Sequence, residues 1–233
     1  NSWVLAGGLV QGDLSLSGDD LVIVQSANNG WVEHDNDSTP WELGGGSWTV
    51  EVRAKVNSLS GDGGFVIWGA LNGERDILAV REGSVTNLAG TIFDTSDNTD
   101  GFHDYRLVYD SASDVYHYFR DAVQITPVAG VGQQAASANT RLIVGDCCSN
   151  IAVSPLGCVG NSFEIDYVRY DMDGAFSPTA DQGAVTLSIN RDNGNISLAN
   201  TSGDTIAGII GYSITSSAGA LSQASWTQQA VGP

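Results

Sequence analysis

The chain has 233 residues, a length that suits one large all-β domain or one domain with part of another. Twenty-seven acidic side chains against nine basic ones give a formal charge of −18. That balance excludes nucleic acid, whose phosphates need a basic footprint, and membrane adhesion through basic residues; the apolar runs also fall far short of the roughly 20 residues that cross a bilayer.

Twenty-nine Gly, with six Trp, seven Tyr and six Phe, describe a folded, turn-rich β protein rather than a disordered one. The opening at Asn1, without Met or a basic leader, is what a processed secreted protein shows, and a trimmed sequence would show the same.

In chain order, the first acidic stretch is EHDNDS, 33–38, flanked by Trp31 and Trp41. SWTVEVRAKV follows a Gly-rich turn and alternates strictly: Trp48, Val50, Val52, Ala54 and Val56 share one face, and Thr49, Glu51, Arg53 and Lys55 share the other. This is a half-buried strand. GGFVIWGAL, RDILAVRE and YRLVYD read as further strands, with Trp48 and Trp68 at core positions. VYHYFRDAVQI reads as a hairpin turning near Arg120, Asp121 and Ala122, and TRLIVGD and FEIDYVRYD complete a first block. DMDGAFSPTADQG is a linker, and beyond it VTLSINRDNGNISLANTSG reads as a hairpin around Asn193 and Gly194, followed by a strand in IAGIIGYSIT. Many strands without crossover helices predict an all-β, two-sheet antiparallel jelly-roll sandwich over residues 1–180, with a short C-terminal β extension over 183–233.

Cys147, Cys148 and Cys158 share one loop and predict a disulfide from Cys158 to either of the other two. Sequons at Asn36, Asn195 and Asn200 are glycosylation candidates. No G-x-S-x-G elbow accompanies His34, His103 or His117.

SWTVEVRAKV, DGFHDYRLVYDSASDVYHYFRDAVQI and FEIDYVRYD together resemble the concanavalin A-like lectin and glucanase jelly rolls, including laminin-G-like modules of secreted bacterial proteins. Residues 183–226 are similar to the opening half of a β module of planctomycete-type secreted proteins. The glucanases of the first family carry a Glu-x-Asp-x-(x)-Glu strand whose two glutamates act about 5 Å apart. Glu74-Arg75-Asp76 and Glu164-Ile165-Asp166 each lack the second Glu, so the expectation is a protein without enzymatic activity. The resemblance also implies structural calcium: Asp166 matches the family's ligand, and Gly44, Gly45 and Gly46 match the turn whose carbonyls assist it. Pairing of Asp166 with Arg53 or Arg169 is the alternative.

The expectation is therefore a secreted, non-catalytic structural subunit that associates with copies of itself, head to tail, into a filament or surface layer, because an incomplete module exposes a strand edge. The alternative is a calcium-supported module binding a polysaccharide, with Trp31 and Trp41 as the contact candidates.

Overall fold

The computed structural model describes residues 3–27, 29–34, 46–57, 64–71, 74–133, 141–146, 160–171, 174–177, 186–189 and 196–199. The chain divides into two compact units, Asn1–Asp181 and Gln182–Pro233.

In the first unit the strands are β1 (Trp3–Gly7), β2 (Leu14–Ser17), β3 (Asp20–Val24), β4 (Gly30–His34), β5 (Trp48–Asn57), β6 (Gly64–Leu71) and β7 (Glu74–Arg81). They continue as β8 (Ser84–Thr86), β9 (Ile92–Asp94), β10 (His103–Asp110), β11 (Val115–Arg120), β12 (Val123–Gln124), β13 (Arg141–Asp146) and β14 (Ser162–Asp171). A front sheet runs β1-β4-β13-β6-β7-β8-β9, and a back sheet runs β12-β11-β10-β5-β14-β3-β2. The chain changes sheet repeatedly, between β4 and β5, β5 and β6, β9 and β10, and again around β13. This is the jelly-roll sandwich that the alternating strands predict. Among the described residues no helix is long and apolar enough to cross a membrane.

The core lies between the two sheets. Every residue of the predicted inner row of β5, Trp48, Val50, Val52, Ala54 and Val56, is fully buried. Opposite them sit Phe65 and Ile67 of β6, Leu78 and Val80 of β7, and Leu142 and Val144 of β13. Gly69 is part of this packing, because a Cβ there would stand 2.3 Å from the Trp48 ring. The predicted hairpin turns at Asp121 and Ala122, whose φ values of 49° and 65° fit a mirror-image two-residue turn between right-twisted strands. Asp121 fixes that turn by accepting from the Asp104 backbone N–H at 3.1 Å.

Trp68 is not in this core. GFVIWGAL is apolar on both faces, so its alternation cannot say which row faces inward; the structure turns Phe65 and Ile67 in and Val66, Trp68 and Ala70 out. Trp31 and Glu33 are likewise strand residues of β4 rather than parts of an acidic loop.

Of the second unit, β15 (Thr186–Ile189) and β16 (Ile196–Ala199) are described; they pair antiparallel with Ile189 opposite Ile196.

Candidate functional site

Strand register places the outward side chains of the front sheet on a grid. One row runs Arg75, Ala70, Arg141; the next runs Ile77, Trp68, Ile143, Glu33; a third runs Ala79, Val66, Gly145, Trp31. Val66, Ile77 and Ala79 form a second apolar cluster here, against which the half-buried Trp31, Trp68 and Leu88 pack. Trp31, Trp68 and Arg75 form a bent diagonal across the grid, one row and two strands from Trp31 to Trp68 and one row and one strand from Trp68 to Arg75. With strands about 4.8 Å apart and about 3.3 Å of rise per residue, that diagonal is roughly 20 Å long between Cα atoms.

Polar contacts fix the aromatic groups. Trp31 Nε1–H donates to Glu33 Oε2 at 3.2 Å, and the other oxygen of Glu33 faces Arg141 Nε at 3.2 Å. The Arg75 guanidinium carbon stands 5.1 Å from the Trp68 ring centroid, a cation–π arrangement. The Nε atoms of Arg75 and the indole N–H of Trp68 are buried and have no hydrogen-bond partner among the described residues. Trp31 is seated on glycine. A Cβ on Gly145, whose φ is 152°, would come within 2.5 Å of the Trp31 Cα, and a Cβ on Gly7 within 2.6 Å of its ring.

The outer face of the back sheet is built differently. Glu51, nearly fully buried, accepts from Arg106 Nε at 2.7 Å through one oxygen, and from Arg169 Nε and the Tyr167 hydroxyl, each at 2.8 Å, through the other. Burial and the Glu51 carboxylate push the Tyr167 hydroxyl well above its ordinary range. Residues 174–177 cross this network. Thr49 Oγ1 donates to the Gly174 carbonyl and accepts from the Phe176 N–H, both at 2.9 Å, and Arg106 Nη1 donates to the Phe176 carbonyl at 3.0 Å. A groove of about 420 Å³ lies beside them, lined by Glu51, Arg106, Arg169, Asp171 and Phe176 among others.

No family model matches the sequence, and no curated protein is similar to it. Solved structures are similar in fold. They include the alginate lyase AlgAT5 from polysaccharide lyase family 7 (TM-score 0.47, 8% identity, covering 70% of this chain and 83% of that one). The Emp46p carbohydrate recognition domain in metal-free form has a TM-score of 0.46 and 13% identity, covering 74% and 88%. The carbohydrate binding module CBM66 from Bacillus subtilis has a TM-score of 0.44 and 10% identity, covering 72% and 94%. At such values the likeness is one of architecture alone.

The carboxylates of FEIDYVRYD have local partners. Asp166 sits at a bulge in β14 and pairs with Arg53 Nε at 3.1 Å, and Glu164 pairs with Lys55 at 3.1 Å. Of the implied calcium set, Asp166 and Gly46 are described and stand apart. Asp166 lies beside Arg53, five residues along β5 from Trp48 and so roughly 16 Å away, whereas Gly46 precedes Trp48 and lies against Ser111. Among the described residues no group of three or more His, Cys, Asp or Glu is placed to hold a metal ion. Gly44, Gly45, Trp41, Cys147, Cys148, Cys158, Asn36, Asn195 and Asn200 lie outside the described residues.

The two hydrolase-like patterns fall on different sheets. Asp76 points into the core and Asp166 outward from the back sheet. The histidines sit in separate settings: His34 is buried against Trp3 and Tyr170, His103 lies between Asp100 and Asp121, and His117 contacts Gln124. Sequence reasoning missed Trp68, Arg75, Glu33 and Arg141 as members of one surface. The signal for them was the i, i+2 spacing of Trp31 with Glu33, readable only once WVEH is known to be a strand.

Proposed function

We propose that this chain is a non-catalytic carbohydrate-binding module that holds an extended glycan on the outer face of its front sheet. The observation that carries the reading is the diagonal of Trp31, Trp68 and Arg75. Aromatic faces offer apolar contact to the C–H surfaces of sugar rings, and the arginine and the Glu33–Arg141 pair offer hydrogen bonds to hydroxyls. A line of roughly 20 Å is longer than any one sugar ring and suits a polymer. A module of this kind acts outside the cell, where polysaccharides are found.

Head-to-tail assembly through residues 183–233 draws its support from strand runs that, apart from β15 and β16, lie outside the described residues. The front face gives the binding reading a built site, and this is why it is preferred.

Affinity electrophoresis against a panel of soluble polysaccharides tests the proposal. At least one polysaccharide should retard the full chain and change its tryptophan fluorescence, and Trp31→Ala should weaken binding about tenfold, the equivalent of roughly 1.4 kcal/mol. Absence of retardation and of a fluorescence change across neutral and acidic polymers would overturn it.

A further inference from the structure

The geometry points to an anionic glycan as the ligand of this face, with Arg75 holding a carboxylate or sulfate of the polymer; the inference rests on the binding reading above.

Arg75 stands apart in its charge environment. Among the described basic residues, Arg53, Lys55, Arg106, Arg120, Arg141 and Arg169 each face a carboxylate within an ion-pair distance. Arg75 has no such partner among the described residues, although acids outnumber bases by 27 to 9 in the chain. Its sequence neighbour Asp76 does not serve, because successive strand residues point to opposite faces and Asp76 is buried beneath the sheet. The contact that Arg75 does make is with the Trp68 ring. A guanidinium lying on an aromatic face keeps its N–H edge directed sideways, the edge that meets a carboxylate or sulfate in a forked pair.

The local balance of charge runs the same way. On β4, β13, β6 and β7 the partly exposed charged residues in outward register are Arg75 and Arg141 against Glu33, two bases to one acid, with Arg81 buried. Glu33 is already engaged by Trp31 and Arg141. This face is therefore locally basic on a chain of formal charge −18. On the middle strands of the back sheet, by contrast, Arg53 and Arg106 are matched within ion-pair distance by Asp104 and Glu51. A neutral glycan can accept hydrogen bonds from Arg75 but leaves its charge unmatched. An acidic one matches that charge, and among the described residues it meets no competing carboxylate at Arg75.

Titration calorimetry of the full chain with polygalacturonate, alginate, dextran sulfate, dextran and laminarin tests this. Tighter binding of at least one acidic polymer than of both neutral ones, weakened tenfold or more by Arg75→Gln and to a smaller extent by Arg75→Lys, which keeps the charge without the fork, is the expected result. Preference for the uronates or for dextran sulfate identifies the anion as carboxylate or sulfate. Neutral polymers bound as tightly as acidic ones, or affinity for the acidic polymers unchanged in a folded Arg75→Gln variant, would overturn the anionic reading while leaving glycan binding in place. Loss of binding in Trp31→Ala together with an inert Arg75→Gln would give that second outcome its clearest form. Failure of all five polymers to bind would overturn both.

Discussion

Asp76 gives the sharpest test of the core. It lies on β7 opposite Gly69, fully buried, with Oδ1 accepting from the Ile77 backbone N–H at 2.8 Å and the Tyr118 hydroxyl beside it. Burial raises its pKa from 3.8 to about 7, only partly offset by the nearby Tyr118 hydroxyl, the Ile77 N–H and the charge of Arg75. A carboxyl whose folded pKa exceeds its unfolded one binds its proton more tightly in the folded state. Its contribution to stability is fully present below about pH 4, and falls as pH rises toward 7. Above pH 7 it is gone. A rise from 3.8 to about 7 corresponds to about 4 kcal/mol in total, of which roughly 2 to 3 kcal/mol falls between pH 5 and 8.5. Asp76→Asn keeps the shape and the acceptor for Ile77 and cannot ionise. Urea denaturation of both proteins from pH 4.5 to 8.5 should show the variant gaining on the wild type by about 3 kcal/mol, nearly all of it below about pH 7.5. A difference between them that does not change with pH would refute the argument that burial holds this carboxyl protonated.

Two further outcomes follow from the packing. Glu51→Ala should destabilise the protein by about 3 to 5 kcal/mol in chemical denaturation, because it leaves the buried Arg106 without its carboxylate. A chain ending at residue 181 should unfold in one cooperative transition near that of the full chain, since among the described residues the main core cluster and the side chains packed on it lie between Leu9 and Tyr170; sedimentation of the two chains side by side tells whether residues 182–233 drive self-association.

How far the sequence reaches is visible strand by strand. SWTVEVRAKV states its own orientation, because one row is apolar and the other charged, and Asp121 with Ala122 marks a turn between two such runs. GFVIWGAL states no orientation, since both of its rows can be buried. In ERD, at 74–76, the letters describe three charges, yet the pleat sends Arg75 to a surface and Asp76 to the interior. What decides their behaviour is a ring from β6 in one case and burial between the sheets in the other. Such pairings depend on register between distant segments, which local spacing does not encode. The same limit separated Asp166 from Gly46: each resembles a ligand in its own motif, and only the length of β5 shows that they stand far apart.

The crossing of residues 174–177 over β5 has a mechanical side. Thr49 and Arg106 grip the chain just after it leaves β14, a ten-residue strand hydrogen-bonded to β5 on one side and β3 on the other. Tension applied to the chain beyond Ser177 meets this clasp before it reaches the sheet. Transmitted along β14, it then loads two ladders in shear, so that many hydrogen bonds must break together rather than one after another. A pull from the C-terminal side of β14 is thereby resisted by the two ladders at once.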